Sequence, residues 1–180
     1  MAKGVSRMIK YDKIYSLRRI AQSFRDAIDE AKANREPYIF FSKFPTGQCG
    51  YTTELLAKYL STKGYTQMIY ETGAYYWDDF EQSPDHEPNQ HTWLIVEGLV
   101  IDITRDQFKH YDEPIKNDIP VYVGPKNPYY ELFDVHPNGR YETSGYSLTD
   151  PMGTDLDTWY HIIMKYLQGP EHKCLSDKLG

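Results

Sequence analysis

Cysteine is scarce in this chain: there are two among 180 residues, Cys49 and Cys174. Two cysteines make no disulfide framework, and the absence of any C-x-x-C or H-x-x-x-H pair argues against a structural metal site. Long apolar runs are missing too. No window approaches the ~18 consecutive apolar residues that span a bilayer, and residues 1–13 are charged, without the apolar stretch of a secretory signal. Positive charge is in deficit, with 20 Lys and Arg against 26 Asp and Glu and a formal net charge of −6. No basic patch stands out beyond Arg18-Arg19. A nucleic-acid footprint is normally basic, so neither nucleic acid nor membrane is expected as a partner. A reducing cytoplasm is the expected compartment, with export by a signal-less route left open. There a cysteine stays a usable thiol.

Aromatics are abundant, with 17 tyrosines against 7 phenylalanines. Such a set suits half-buried, wet-edged packing or the lining of a groove. The length fits one domain with a sizeable core. We read that core over about residues 38–125, flanked by helices at 11–33 and 155–167. In the first helix Ile14, Leu17, Ile20, Ala21, Phe24, Ile28 and Ala31 recur at helical spacing. In the second, Leu156, Trp159, Ile162, Ile163, Tyr166 and Leu167 do. A third helix runs from Tyr51 to Leu60 and stops at Gly64. Strands are expected at 67–72, 91–97, 99–104 and 119–123. Residues 73–90 read as one long acidic loop, a candidate rim or lid, and 124–154 as mostly ordered loop held by aromatics.

The chemistry gathers around Phe44-Pro45-Thr46-Gly47-Gln48-Cys49-Gly50. This tight loop delivers Cys49 to a helix N-terminus, where unpaired N–H groups and the dipole favour thiolate. Downstream lie His91 and Asp102. If Glu97-Gly98 is a two-residue hairpin turn, Val96 pairs with Leu99 and Trp93 lies opposite Asp102. His91 is then the diagonal neighbour of Asp102 on one face, within reach of a His–carboxylate hydrogen bond. Cys, His and Asp are the nucleophile, base and orienter of thiol acyl transfer. Asp106 is the rival orienter. Gln48 is a candidate second oxyanion donor and Trp93 a candidate wall of the site. No cofactor and no metal are called for.

At these residues the chain resembles a known superfamily. Gly47-Gln48-Cys49 is similar to the active-site motif of the transglutaminases. His91-Thr92-Trp93 resembles their H-x-W strand, and Ile101-Asp102-Ile103-Thr104 their D-P-T strand. The resemblance covers about residues 44–108. It implies an α+β, papain-like fold, with the cysteine helix packed on an antiparallel sheet that carries His and Asp. It also implies catalysis by Cys49, His91 and Asp102 on an amide bond, a peptide bond or a glutamine side-chain amide, of a protein, peptide or small amide substrate, by hydrolysis, deamidation or transamidation. Gly50 stands where animal transglutaminases carry tryptophan, and no D-x-D-x-D-G calcium loop is present. The alternative is a papain-like binding module without catalysis. In the register above, the Cys49 helix is expected over the face that carries His91, Trp93 and Asp102.

Overall fold

The computed structural model describes residues 2–77, 87–149 and 152–168, with side chains from Tyr11 onward. It is an α+β fold built on a five-stranded antiparallel sheet. Helix α1 (Ala2–Ala33) begins well before the residue-11 start read from periodicity. It buries Leu17, Ala21, Phe24, Ile28 and Ala31, a three-four spacing that gives one apolar stripe. The apolar run after Pro37 coils into a short helix, α2 (Ile39–Lys43), and α3 spans Cys49–Thr62. Gly64, at φ +90°, takes the left-handed turn that ends α3. Strands β1 (Met68–Tyr75), β2 (Asn89–Val96) and β3 (Leu99–Asp102) follow. A 3₁₀ turn at Arg105–Phe108 leads to β4 (Tyr122–Gly124), α4 (Pro128–Glu131), β5 (Asp134–Glu142) and α5 (Gly153–Leu167). The sheet order is β4-β3-β2-β1-β5.

The β2–β3 hairpin has the register the turn residues dictate. Glu97 and Gly98 both have positive φ, at 49° and 80°, as a type I′ turn requires. Val96 pairs with Leu99 and Leu94 with Ile101. Two apolar clusters then form on opposite sides of the sheet. On one side Leu94, Val96, Ile101 and Val123 join α1, α3 and α5 through Leu17, Phe24, Leu55, Leu56, Leu60 and Ile163. On the other, Trp93 and Val100 pack with Phe108, Ile115, Tyr130 and Phe133.

Two expectations change here. Residues 73–75 and 89–90 are strand, so the loop expected at 73–90 is shorter. Its central stretch, 78–86, lies outside the described residues. The 124–154 segment is not mostly loop: it supplies α4 and the edge strand β5, which pairs with β1 across an irregularity between Glu71 and Gly73. An exposed edge strand need not alternate, and β5 buries only Gly139 while it tolerates Pro137. Among the described residues no helix is long and apolar enough to cross a membrane.

Candidate active site

Cys49 is the first residue of α3, and Gln48 is its N-cap. The loop before it is closed by the Gln48 N–H donating to the Pro45 carbonyl, while the Gln48 carbonyl accepts from Thr52. Cys49 is 9% exposed and borders a cleft of about 910 Å³. His91, near the start of β2, is completely buried, and its Nε2 lies 2.6 Å from Asp102 Oδ2. The Asp102 carboxylate gathers three more donors. Tyr130 O–H donates to Oδ2 at 3.2 Å, and Thr104 donates to Oδ1 through its backbone N–H at 3.0 Å and its hydroxyl at 3.3 Å. Burial and the charge of Asp102 both raise the Tyr130 hydroxyl, so it remains a donor. With four donors converging on it, Asp102 is fixed, and it fixes the imidazole in turn.

Helix α3 packs over Leu94 and Val96, the face opposite to the one expected. His91, Trp93 and Asp102 do share a face, but it is that of the second cluster. Leu94, Val96 and Ile101 belong to the larger of the two apolar clusters, and the leucines of α3 pack there. Cys49 and His91 still meet because β3 ends at Asp102. Level with His91, β2 is paired with β1 on one side, but on the side facing β3 no described strand lies beside it, and the cysteine loop comes to that gap.

Gln107 stands in the gap, and the sequence reading passed over it. Its Nε2 is 2.8 Å from His91 Nδ1, while its Oε1 accepts the Gly47 N–H at 3.3 Å. The Gly47 donor fixes which way the amide points, so the NH₂ faces the reacting atoms. It donates to Nδ1 when the imidazole is neutral and to the sulfur when the thiol is ionised. Asp106 does not orient His91. It forms a bidentate pair with Arg25, both contacts at 2.8 Å. The same guanidinium donates to the Ile103 carbonyl and lies 4.7 Å from the centre of the Phe44 ring. One arginine of α1 thus ties the cysteine loop to the segment that carries Asp102 and Gln107.

The electrostatics favour an ion pair. Burial raises the Cys49 thiol, but the hydrogen bond and charge of His91, with hydrogen bonds from Gln107 and Thr92, outweigh it and leave the pKa below its ordinary value. Burial likewise lowers His91, yet Asp102 and then Cys49 push it up to about 9. Each partner favours the charged form of the other. The mutual pull lowers the Cys49 thiol and raises the His91 imidazole, which biases the pair towards thiolate and imidazolium.

Trp93 does not wall the cleft. It is fully buried in the second cluster, and its indole N–H donates to Glu71 at 3.2 Å. Buried Glu71 also binds Lys126 and Arg140, each at 2.6 Å. Gln48 is buried at the helix start, and its side chain does not cap the helix. The side-chain amide that stands beside His91 Nδ1 is that of Gln107. Cys174 lies outside the described residues. Among the described residues no group of three His, Cys, Asp or Glu side chains is arranged to hold a metal ion.

No family model matches the chain, and no curated protein or solved structure does either.

Proposed function

We propose that the chain is a thiol-dependent acyl-transfer enzyme with a papain-like, transglutaminase-like arrangement, acting on an amide by hydrolysis, deamidation or transamidation. The observation that carries this reading is the imidazole of His91. One nitrogen is held by Asp102 at 2.6 Å, and the other is turned towards Cys49 at a helix N-terminus.

The chemistry follows from the placement. The Cys49 thiolate attacks the carbonyl carbon, and the carbonyl π pair moves to oxygen. Two donors are at hand for that oxyanion, the Cys49 backbone N–H and the Gln107 amide. The Nδ1 proton of His91 passes to the leaving nitrogen as the C–N bond breaks, which leaves a thioester and a free amine. Water, or a second amine, then gives a proton back to Nδ1 as it attacks, and the C–S bond breaks to restore the thiolate. Asp102 holds the tautomer throughout. Thr72 and Gln90, which line the cleft, also border a second hollow of about 260 Å³ with His136 and Gly139.

The test is labelling of Cys49 by a thiol-reactive acyl probe at neutral pH, in the native protein and in His91→Ala. Rapid acylation of Cys49 that depends on His91 supports the enzyme. A Cys49 that reacts no faster than a free thiol, with or without His91, leaves a binding module as the better account.

A further inference from the structure

The cleft that Cys49 borders has a chemical character beyond its nucleophile. Its walls are α3 on one side and the 141–147 segment on the other. The two are held close by Gly145, where φ is +101° and an added Cβ would stand 2.6 Å from Lys58 Cα. Along the α3 wall, Gly50 leaves room for the Tyr70 hydroxyl, which an added Cβ would meet at 3.1 Å. Tyr70 stacks on Tyr141 at 4.6 Å, with planes 17° apart. Glu54 lies beneath this pair. Its carboxylate accepts from Tyr141 O–H at 2.9 Å and from the Thr143 hydroxyl at 3.0 Å. Hydroxyl donors orient the carboxylate without cancelling its charge. Glu142 adds a second carboxylate to the lining, and among the described residues no Lys, Arg or His lines the cleft. Lys58 rests its ammonium 5.6 Å from the centre of the Tyr146 ring and is not part of the lining.

Aromatic faces beside an oriented carboxylate are the surroundings that recognise organic cations. The charge of Glu54 reaches the rings themselves: after burial, it is what most raises the Tyr141 hydroxyl, and it contributes to the rise of Tyr70. Glu54 lies five residues along α3 from Cys49, about 7.5 Å of axial rise. Two residues of extended chain advance roughly 6.6 Å, so a cationic group near the reacting amide reaches Glu54.

We propose that the Tyr70–Tyr141–Glu54 end of the cleft is a cation subsite, so that the amide delivered to Cys49 belongs to a substrate carrying an ammonium or guanidinium group. The subsite names the substrate class for the acyl-transfer reading and rests on it.

Charged thiol reagents test the subsite without knowledge of the substrate. In a Cys174→Ser background, Cys49 is treated with methanethiosulfonates that bear a trimethylammonioethyl or a sulfonatoethyl group. The thiolate displaces methanesulfinate and forms a mixed disulfide, which intact mass follows in time. The cationic-to-anionic rate ratio, divided by the same ratio for a small free thiol, is expected to be about tenfold or more, the scale on which one-signed clefts concentrate counter-ions. Glu54→Gln, which keeps the hydrogen-bonding shape, brings the ratio down several-fold, and so does molar salt. A ratio equal to that of the free thiol, or one unmoved by Glu54→Gln, overturns the subsite. A second arm does not need the thiol. In Cys49→Ala, millimolar benzyltrimethylammonium shifts the aromatic NMR signals of Tyr70 and Tyr141, and Glu54→Gln abolishes the shift. An absent shift overturns the subsite whatever the thiol does. A shift in Cys49→Ala beside an inert Cys49 in the native protein overturns the acyl-transfer reading and leaves the subsite standing.

Discussion

Gln107→Ala separates two roles that one amide can play. In the resting protein its NH₂ group lies 2.8 Å from His91 Nδ1 and its oxygen holds the Gly47 N–H. If its work is structural, the change removes ordinary hydrogen bonds worth about 0.5–1.5 kcal/mol each. If the NH₂ group also receives the oxyanion, acylation loses about 10²–10³ in rate, or about 2.7–4 kcal/mol of transition-state stabilisation. Two reagents on the same thiol tell these apart. p-Nitrophenyl acetate acylates Cys49 through a tetrahedral oxyanion, whereas iodoacetamide alkylates it by displacement at a saturated carbon and forms none. Single-turnover rates for both, with and without Gln107, are expected to diverge: acylation falls at least a hundredfold, and alkylation falls only as far as the thiolate fraction does. Equal losses with both reagents, each under tenfold, would refute the oxyanion role and leave Gln107 as a partner of the imidazole alone.

Asp102→Asn keeps the shape but lets the imidazole carry its proton on the nitrogen facing Cys49, so acylation is expected to fall by up to about 10⁴, the loss seen for the equivalent change in serine proteases; stopped-flow acylation measures it. Arg25→Met leaves Asp106, whose side chain is 14% exposed, without its partner. Breaking such a pair costs about 3–5 kcal/mol, read as a lower denaturation midpoint in urea, and the loosened 102–107 segment slows acylation as well. His91 gives a pH signature in stability. Its folded pKa is raised from 6.5 to about 9, so its contribution is complete below pH 6.5 and lost as pH rises through about 9. Thermal unfolding should show a fall in Tm across that window, and His91→Gln should remove that component.

Much of this site was legible in the chain because a two-residue turn is a strong local signal. Glu97-Gly98 sets the hairpin, the hairpin sets the register, and period-two alternation puts His91 and Asp102 on one face. The side taken by α3 was not legible, since alternation marks two faces without saying which helix covers which. Gln107 had no signature. A glutamine in a 3₁₀ turn five residues after Asp102 looks like any polar loop residue, and its position depends on Arg25, far away in sequence, holding Asp106 and the Ile103 carbonyl. The same pairing explains why Asp106, a carboxylate of suitable parity, is unavailable to His91. Strand β5 escaped because an exposed edge carries little apolar pattern. Trp93 was placed on the correct face, but that face is core, closed over by Tyr130 and Phe133.

The alkylation rate of Cys49 as a function of pH, in a Cys174→Ser background, tests the central claim most directly. A thiolate held by the imidazolium of His91 predicts an inflection below the unperturbed value of about 8.5, and a further rise near pH 9 as His91 gives up its proton. In His91→Ala the lower inflection should vanish and the thiol should titrate above 8.5, as burial alone dictates. A single inflection at or above 8.5 in the native protein, unchanged by His91→Ala, would contradict the account.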